Sequence, residues 1–462
     1  MTKTRSEITL GELTQGRVQQ DGPTGRGEFT YVDIGSIDRT TKRIVDANKL
    51  PIAKAPSRAR QILKAGDVLV SMTRPNLNAV AIVPPDLDGA IGSTGFHVMR
   101  AQDNEPGYLF YAAQTPMFID SMCQKVQGAL YPAVRPKDIA AHSVPRIPKS
   151  EQRRIVAEIE KQFSRLEEGV GALRRVQANL KRYRAAVLKA ACEGQLVPTE
   201  AEIQRSEARG RRSGGKYETG EELLARILTE RRQNWQGRGK YKEPNAPDTS
   251  KLGKLPEGWA WGNVAQLAAS DQNSITDGPF GSNLKTEHYM ASGPRVIRLQ
   301  NIGDGVYVDE EAHISQAHFE RLQKHRVFAN DVVIAGFGED PPRSCIIPET
   351  LGPAIVKADC IRFKPHNSVM PKYMNIALNS DPVRKRTKGM VHGVGRPRLN
   401  LGEIKSIVLP IPPLAEQSRI VAEAERRLSV VEELEATVEA NLQRATRLRQ
   451  SILQKAFTGE FV

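Results

Sequence analysis

The sequence lacks the features of several large classes of protein. Its four cysteines form no C-x-x-C pair and have no histidine at zinc-ligand spacing, which argues against a disulfide framework and against a zinc site. No apolar run of signal-peptide length follows the N-terminus, and no later run approaches the roughly 18 uncharged residues that a membrane span needs. We therefore expect a protein of the reducing cytoplasm with no membrane partner.

Catalytic signatures are also incomplete. Residues 210–217 have the spacing of a phosphate-binding Walker A loop, but Tyr217 stands where a Mg²⁺-binding Ser or Thr is needed. Asp340-Pro-Pro-Arg343 is similar to an amino-methyltransferase motif, yet Arg343 cannot supply the aromatic face that stacks on a flipped base. Glu403-Ile-Lys405 has the Glu-x-Lys spacing that ends a nuclease metal-site motif, but the sequence offers no convincing second acid to complete the site. We predict no catalytic residue, no metal site and no cofactor bound by this chain.

The overall composition indicates a folded, basic protein. A length of 462 residues with 39% apolar and 26% charged residues predicts two to four domains. The 67 Lys and Arg against 53 Asp and Glu give a net charge of +14, which makes a polyanionic partner plausible. More than half of this excess lies in residues 149–252, a predicted helix and linker, so bulk charge alone does not locate a nucleic-acid site.

The chain contains a tandem repeat at a constant offset. The run Glu151-Gln-Arg-Arg-Ile-Val-Ala-Glu158 returns as Glu416-Gln-Ser-Arg-Ile-Val-Ala-Glu423, and the match continues without a gap to the last residue. Fainter matches at the same offset extend upstream, where Tyr108 corresponds to Tyr373. The sequence is therefore a duplication whose helical parts are alike and whose upstream domains have diverged.

The repeated segments have the period of long helices with coiled-coil seams. The first seam consists of Val156, Ile159, Phe163, Leu166, Val170, Leu173, Leu180 and Val187, and the second of Val421, Ala424, Leu428, Val431, Val438, Ala445 and Ile452. A single seam of this kind would suit any helical hairpin. Two copies at a fixed offset favour pairing with each other.

The fold class that follows is α+β, with two mixed α/β domains and two long helices in a pseudo-twofold internal repeat. The predicted parts are a first globular domain, a central long helix, a charged linker with a short helix at about 219–234, a second globular domain and a C-terminal long helix: 1–148, 149–197, 198–252, 253–413 and 414–462.

Candidate recognition residues lie in the divergent domains. No acidic residue occurs between Val383 and Leu401, where basic side chains alternate with glycines; such a loop suits phosphates and guanine edges, although ordinary solvated surface has the same composition. The equivalent place in the first domain, 128–137, has different side chains, as two readers of different sequences would. The candidate DNA-binding residues are Arg74, Asn76, Tyr131, Arg135, Lys137, Arg298, Asn301, Arg343, Lys385, Lys388, His392, Arg396, Arg398 and Asn400.

The layout resembles the specificity subunit of Type I restriction-modification systems. Each long helix opens with Pro-x-x-Glu-Gln-x-x-Ile, at Pro148 and at Pro413, and each closes with Leu-x-x-Ala-x-x-Gly. The Leu255-Pro-Glu-Gly-Trp259 entry to the second domain also looks like this family, whereas the first domain starts with Ile8-Thr-Leu-Gly-Glu-Leu13 and lacks that entry.

The resemblance implies a non-catalytic DNA reader of prokaryotic defence. In this family each target recognition domain binds one half of a bipartite target, and two antiparallel helices fix the spacer between the halves. The implied partners are double-stranded DNA, two modification (methyltransferase) subunits and restriction (endonuclease and translocase) subunits, which would use S-adenosylmethionine, Mg²⁺ and ATP. The antiparallel sense comes from the resemblance alone.

Two other classes stay open at this point. One is a coiled-coil scaffold for protein interactions without sequence-specific DNA binding. The other is a fused nuclease or methyltransferase, against which the incomplete motifs argue.

Overall fold

The computed structural model describes residues 6–127, 132–209, 217–235, 239–338, 340–393 and 397–461. It divides into two compact units. Unit 1 consists of Met1–Val176 and Thr437–Val462, and unit 2 of Gln177–Ala436. Each unit thus contains one of the divergent domains and part of each long helical segment.

The first domain, in unit 1, consists of short strands and short helices. The strands are β1 (Glu7–Thr9), β2 (Glu28–Val32), β3 (Ile37–Asp38), β4 (Arg43–Ile44), β5 (Asn48–Pro51), β6 (Ala59–Ile62), β7 (Val68–Ser71), β8 (Val80–Ile82), β9 (Ile91–Ser93), β10 (Phe96–Met99) and β11 (Ser143–Pro145). The helices are α1 (Leu10–Leu13), α2 (Pro106–Ala112), α3 (Pro116–Gln124) and α4 (Pro136–Ala140).

Two small sheets form the body of this domain. One has the order β5-β2-β9-β6, with β2 and β9 parallel, and the other has the order β10-β7-β8 and is antiparallel. The strand β7 is buried along its whole length, as its apolar run Val68-Leu-Val70 requires. β1 pairs with β11 and brings the start of the domain to the residues that precede the first long helix.

The segment between the domains is largely helical. It begins with the long helix α5 (Lys149–Cys192), and continues with α6 (Glu200–Arg209) and α7 (Gly220–Gln233). The predicted short helix is confirmed as α7, whose N-cap Thr219 forms a capping box with Glu222. The helix α6 was not predicted from the sequence, although Thr199 and Glu202 exchange hydrogen bonds of the same kind at its start.

The second domain, in unit 2, repeats the alternation of strands and short helices. Its strands are β12 (Ala260–Asn263), β13 (Ile275–Thr276), β14 (Tyr289–Ile297), β15 (His313–Ile314), β16 (Arg326–Val327), β17 (Val332–Ala335), β18 (Arg343–Ile346), β19 (Ala354–Val356), β20 (Cys360–Phe363) and β21 (Val408–Ile411). Its helices are α8 (Gln316–Arg321), α9 (Pro371–Leu378), α10 (Asp381–Thr387) and α11 (Leu401–Ser406), and the long helix α12 (Leu414–Thr458) follows.

Two sheets also form the body of the second domain. One has the order β13-β20-β17-β18 and the other β15-β14-β19-β16, with β14 and β19 parallel. The fully buried strand β17 corresponds to β7 of the first domain. β12 pairs with β21 just before α12, as β1 pairs with β11 just before α5.

Equivalent hydrogen bonds in the two units confirm the duplication. The hydroxyl of Tyr108 donates to the carbonyl of Pro145, and that of Tyr373 donates to the carbonyl of Pro410, both over 2.9 Å. At the start of each long helix, Gln152 accepts from the amide of Glu105 and Gln417 accepts from the amide of Met370, over 2.9 and 3.1 Å. Every residue of the first set is related to its counterpart by the offset of the sequence repeat.

The two long helices pack against each other within each unit. In unit 1 the N-terminal part of α5, with Ile159 and Phe163, shares a core with Ile452 and Leu453 near the end of α12. In unit 2 the C-terminal part of α5, including Val187, shares a core with the beginning of α12. Opposite ends of the helices are therefore paired, so they run antiparallel, as the resemblance implied.

Candidate nucleic-acid interface

A hairpin closes the basic stretch of unit 2. The amide of His392 donates to the carbonyl of Arg398 over 3.0 Å, and the amide of Arg398 donates back over 2.9 Å. Arg398 also forms a β-bridge with Phe337, which follows β17. Main-chain bonds therefore fix the base of the hairpin and hold Arg398 beside the end of a buried strand.

Unit 1 contains the equivalent hairpin. Gln127 and Ala133 exchange the same two main-chain bonds, over 2.9 and 3.1 Å, and Ala133 bridges Thr73 just after β7. The offset of the sequence repeat places position 127 on 392 and position 133 on 398. The two domains thus share one main-chain framework, on which the equivalent positions carry Ala133 in one domain and Arg398 in the other.

Arg398 lies between an acid and an exposed aromatic ring. Its Nε is 2.7 Å from Oδ1 of Asp359, and its guanidinium group lies 5.5 Å from the ring centroid of Phe280. The side chain of Arg398 is 46% exposed and Phe280 is 47% exposed. A forked cation beside an exposed ring is chemically suited to nucleic acid, because phosphates and guanine edges accept from guanidinium and every base has a face for stacking.

Asp277 holds the Phe280 loop in place. Its Oδ1 accepts from the amides of Gly278 and Asp359, over 2.7 and 3.0 Å. Any side chain at Gly278 would collide with the backbone of Lys357, since a Cβ there would be 2.0 Å from that carbonyl carbon. Burial raises the pKa of Asp277 to about 6. The arrangement fixes the exposed Phe280 next to the partner of Arg398.

The other exposed candidates of the basic stretch have neighbours of their own. Lys388 is exposed, Lys385 pairs with Asp381 over 2.6 Å, and His392 lies 2.5 Å from Glu403. The side-chain oxygen of Asn400 caps α11 by accepting from the amides of Gly402 and Glu403, over 2.8 and 3.0 Å. These side chains are at the surface, and their contact with DNA stays a prediction.

Two arginines of the same stretch have internal roles instead. The guanidinium of Arg386 lies 4.9 Å from the ring centroid of Trp261, and burial lowers its pKa. Arg384 donates to the carbonyl of Pro342 over 3.2 Å and pairs with Asp304 over 2.6 Å. The charge of the stretch therefore overstates how many cations it presents to a ligand.

The structure corrects the assignment of Asn301 and weakens that of Arg298. Asn301 is completely buried, and its amide donates to the carbonyls of Val308 and Glu310, both over 2.8 Å. Its side chain closes a turn and cannot reach a base in this conformation. Arg298 is directed toward the carbonyls of residues 310 and 311 and has a side chain only 23% exposed. Arg343 begins β18 and is half-buried.

In unit 1 the described candidates are exposed. Arg74 and Asn76 flank the start of a short turn, and Arg74 has a left-handed backbone with φ of 49°. Arg135 pairs with Asp138 over 3.1 Å while half of its side chain remains exposed, and Lys137 is exposed nearby. Tyr131 and Arg396 lie outside the described residues.

The sequence analysis missed three surface residues that the fold brings to these places. Phe280 comes from a loop that is distant in sequence from Arg398, and no periodic signal marks it. Arg39 and Arg58 lie on separate loops of unit 1, next to Arg74. A single sequence reveals such groupings only when tertiary contacts are known.

None of the helices in the described residues is long and apolar enough to cross a membrane. In the same part of the chain, no group of three or more His, Cys, Asp or Glu side chains has the arrangement of a metal site.

Comparisons with known proteins agree with this architecture. The family model described as the Type I restriction modification DNA specificity domain matches residues 314–443. The chain is 22% identical over 365 residues to the Type I restriction enzyme EcoBI specificity subunit of Escherichia coli, covering 78% of this chain and 67% of that one. It is 24% identical over 347 residues to the EcoDI specificity subunit of Escherichia coli, covering 74% and 67%.

A solved structure shares the fold. A chain described in work on complex assembly and conformational transition of the type I R-M system matches with a TM-score of 0.66 and 24% identity, over 99% of this chain and 98% of that one. The class is therefore that of proteins with two divergent α/β domains and two long antiparallel helices. Within it, this chain is similar to the specificity subunits of Type I restriction-modification systems, and residues 314–443 match the DNA specificity domain of that family, in agreement with the sequence resemblance.

Proposed function

We propose that this chain is the non-catalytic, sequence-reading subunit of a Type I restriction-modification complex. Each domain contacts one half of a bipartite target in double-stranded DNA. The observation that carries this proposal is the shared hairpin framework: the same main-chain bonds join 127 to 133 and 392 to 398, and the side chains that they present differ. A duplicated framework with different side chains is what reading two different half-sites requires.

The proposed interface consists of the exposed candidates that lie on these hairpins and beside them, together with Tyr131 and Arg396, which lie outside the described residues. In unit 2 the exposed candidates are Arg398 and Phe280, with Lys385, Lys388, His392 and Asn400. In unit 1 they are Arg74, Asn76, Arg135 and Lys137. Arg343 is a weaker candidate because it is half-buried.

The partners follow from the family. We expect two modification subunits, which would bind S-adenosylmethionine and methylate adenine, and restriction subunits, which would use ATP and Mg²⁺ to translocate and cleave DNA. The complex would then work in the cytoplasm, where the DNA is. The long helices would set the distance between the half-sites and provide the surface on which the modification subunits assemble.

The test is to express this chain with its modification subunit in cells that lack other adenine methylation and to map the methylated sites. A single bipartite motif, lost when this chain is left out, is the expected result. Methylation without a bipartite motif would contradict the proposal. Salt-sensitive binding to any duplex, without preference for one sequence, would favour a scaffold instead.

A further inference from the structure

A cleft in unit 1 brings together three arginines from three separate loops. Its volume is about 510 Å³, and Arg39, Arg58 and Arg74 line it together with Thr73. All three arginines are exposed. The remaining lining is apolar and includes Leu77 and Ala133 of the hairpin base.

Two of the loops that carry these arginines, those of Arg39 and Arg74, are tied to each other and to the hairpin. The ammonium group of Lys42, in the turn after Arg39, donates to the carbonyl and the side chain of Asn78, the latter over 2.9 Å. Burial lowers the pKa of Lys42 to about 8. The amide of Arg74 donates to the carbonyl of Pro132 over 2.8 Å. The Arg39 turn, the Arg74 turn and the hairpin therefore form one connected surface.

Arg74 adopts an unfavourable backbone conformation to reach this position. A φ of 49° is uncommon for a residue with a side chain, and Asn78 at the other end of the same turn has a φ of 44°. Such conformations persist where surrounding structure enforces them, and they are concentrated at functional sites. The hydrogen bonds to Pro132 and from Lys42 supply that enforcement here.

The charges of the cleft have no ion-pair partner in the part of the chain that the structure describes. Among the described residues, Arg39, Arg58 and Arg74 form no ion pair, whereas Arg100 and Arg135 in the same unit each pair with an aspartate. Asp38, the neighbour of Arg39, accepts from the amides of residues 40 and 41 and is directed into its own turn. Three guanidinium groups are thus available to an external anion.

The lining favours a ligand that only accepts hydrogen bonds. Its described polar side chains are the three arginines, which only donate, and Thr73, and none of the described lining residues is a carboxylate or an amide. Adenine and cytosine edges present donors, whereas a phosphate presents acceptors alone, as the guanine O6 and N7 edge also does. Apolar side chains between the cations suit the deoxyribose rings between successive phosphates.

We propose that this cleft binds the sugar-phosphate backbone of one DNA strand next to the first half-site, through Arg39, Arg58 and Arg74. This proposal rests on the proposed function. It assigns to the cleft the role of positioning DNA, and it leaves base reading in unit 1 to the hairpin and its flanks.

The experiment compares Arg39→Gln, Arg58→Gln, Arg74→Gln and the triple variant with the wild type, each in complex with the modification subunit. Affinity is measured at several salt concentrations for a duplex carrying the mapped target and for an unrelated duplex. Each lost phosphate contact lowers the slope of log affinity against log salt by roughly 0.9, so the triple variant should lose roughly 2.5 to 3 on both duplexes. The methylated motif should stay unchanged.

Arg60→Gln is the matched control. Arg60 is exposed and lies two residues from Arg58, but it is not part of the cleft lining, and its Nε donates to the carbonyl of Ser57. We expect it to lower the slope by much less than Arg58→Gln. Equal slopes for the two variants would overturn the proposal.

Two other results would also overturn it. An unchanged salt slope in the triple variant would show that the cleft does not contact phosphates, and an altered first half-site would show that its arginines read bases. A wild-type complex without any sequence preference would instead refute the proposed function, so the two failures are distinguishable.

Discussion

At the scale of single residues, Arg398 is our proposed base contact among the described residues of unit 2. We expect Arg398→Ala to weaken binding at the second half-site by about 1–3 kcal/mol, the usual value of a bidentate contact to guanine, and to leave the first half-site unchanged. Methylation of a library with randomised half-sites measures both effects.

Arg398→Lys provides the control for charge. A lysine keeps attraction for phosphates but loses the planar fork, so it should restore general affinity without restoring base preference. If the methylated motif and the affinity are the same in the wild type, in Arg398→Ala and in Arg398→Lys, then Arg398 is not a base contact.

Asp277 predicts a pH dependence of stability. Burial raises its pKa from 3.8 to about 6, so the folded state holds a proton more firmly than the unfolded state does. Stability from this group is therefore present below pH 4 and is lost as pH rises through about 6. We expect Asp277→Asn, which retains the acceptor for Gly278 and Asp359, to flatten the change in unfolding free energy between pH 4 and 6. Urea unfolding of both proteins at several pH values tests this, and parallel pH profiles would contradict it.

The residue scale is also where the sequence was least informative. A run free of acids predicted a basic surface between Val383 and Leu401, yet Arg384 and Arg386 are used internally, because acids and carbonyls from distant segments reach them. The amide side chain of Asn301 predicts a hydrogen bond to a base, but the same amide is equally able to bond to main-chain carbonyls in a turn. The type of a side chain determines which groups it can form hydrogen bonds or ion pairs with. The fold determines which of those groups is close enough to do so.

At the scale of elements, periodicity was a reliable guide. The seam positions Ile159, Val187, Ala424, Val431 and Ile452 are all buried. Midway along α5, Leu166, Val170 and Leu173 are only half-buried, and they belong to neither of the two described cores that cover the helix ends. The helix α6 was not predicted because its residues are mostly charged or polar and show no clear apolar period, although Thr199 and Glu202 form an ordinary capping box at its start.

Apolar residues outside the seams predict a contact with another subunit. In unit 2, Val430 and Leu434 are one turn apart on α12 and are 50% and 45% exposed. We expect Val430→Glu combined with Leu434→Lys to reduce recovery of the modification subunit several-fold in co-purification and to improve the solubility of the chain expressed alone, because exposed apolar patches promote aggregation.

The control places the same charges elsewhere on the helix. Ala436→Glu with Ala440→Lys keeps the spacing on exposed positions of a different helix face and should leave co-purification intact. If the Val430 and Leu434 variant forms the complex at the wild-type level, these two residues do not contact the modification subunit.

At the scale of the whole molecule, the length of the helices predicts the spacing of the target. α5 and α12 contain 44 and 45 residues. Inserting four residues at equivalent positions, after Ala178 and after Gln443, adds about 6 Å to each helix, or between one and two base pairs of DNA. We expect the preferred spacer to grow by that amount while both half-sites stay the same.

The period of the seam provides a second readout. Four residues turn the seam by about 40°, whereas seven turn it by about 20° in the opposite sense, so the longer insertion should be better tolerated and should lengthen the spacer by about three base pairs. Methylation of a library with randomised spacers tests both. A folded, active variant with an unchanged spacer would show that the helices do not set it.

The whole-molecule organisation was the part most accessible from sequence. A constant offset between matching segments predicted the duplication, and Tyr108 and Tyr373 now show it as the same bond in two places. An internal repeat is visible in a single sequence because one part of the chain can be compared directly with another. The three-arginine cleft was invisible, because its members share no spacing and meet only through the tertiary fold.

The two hairpins also bear on how such a protein can change over generations. The bonds that close each hairpin, between 127 and 133 and between 392 and 398, join main-chain atoms, which every amino acid except proline can supply in full. We therefore expect substitutions between these positions to leave the closing bonds in place. Under the proposed function, a lineage carrying this fold could acquire new target sequences by such substitutions while its domains stay folded.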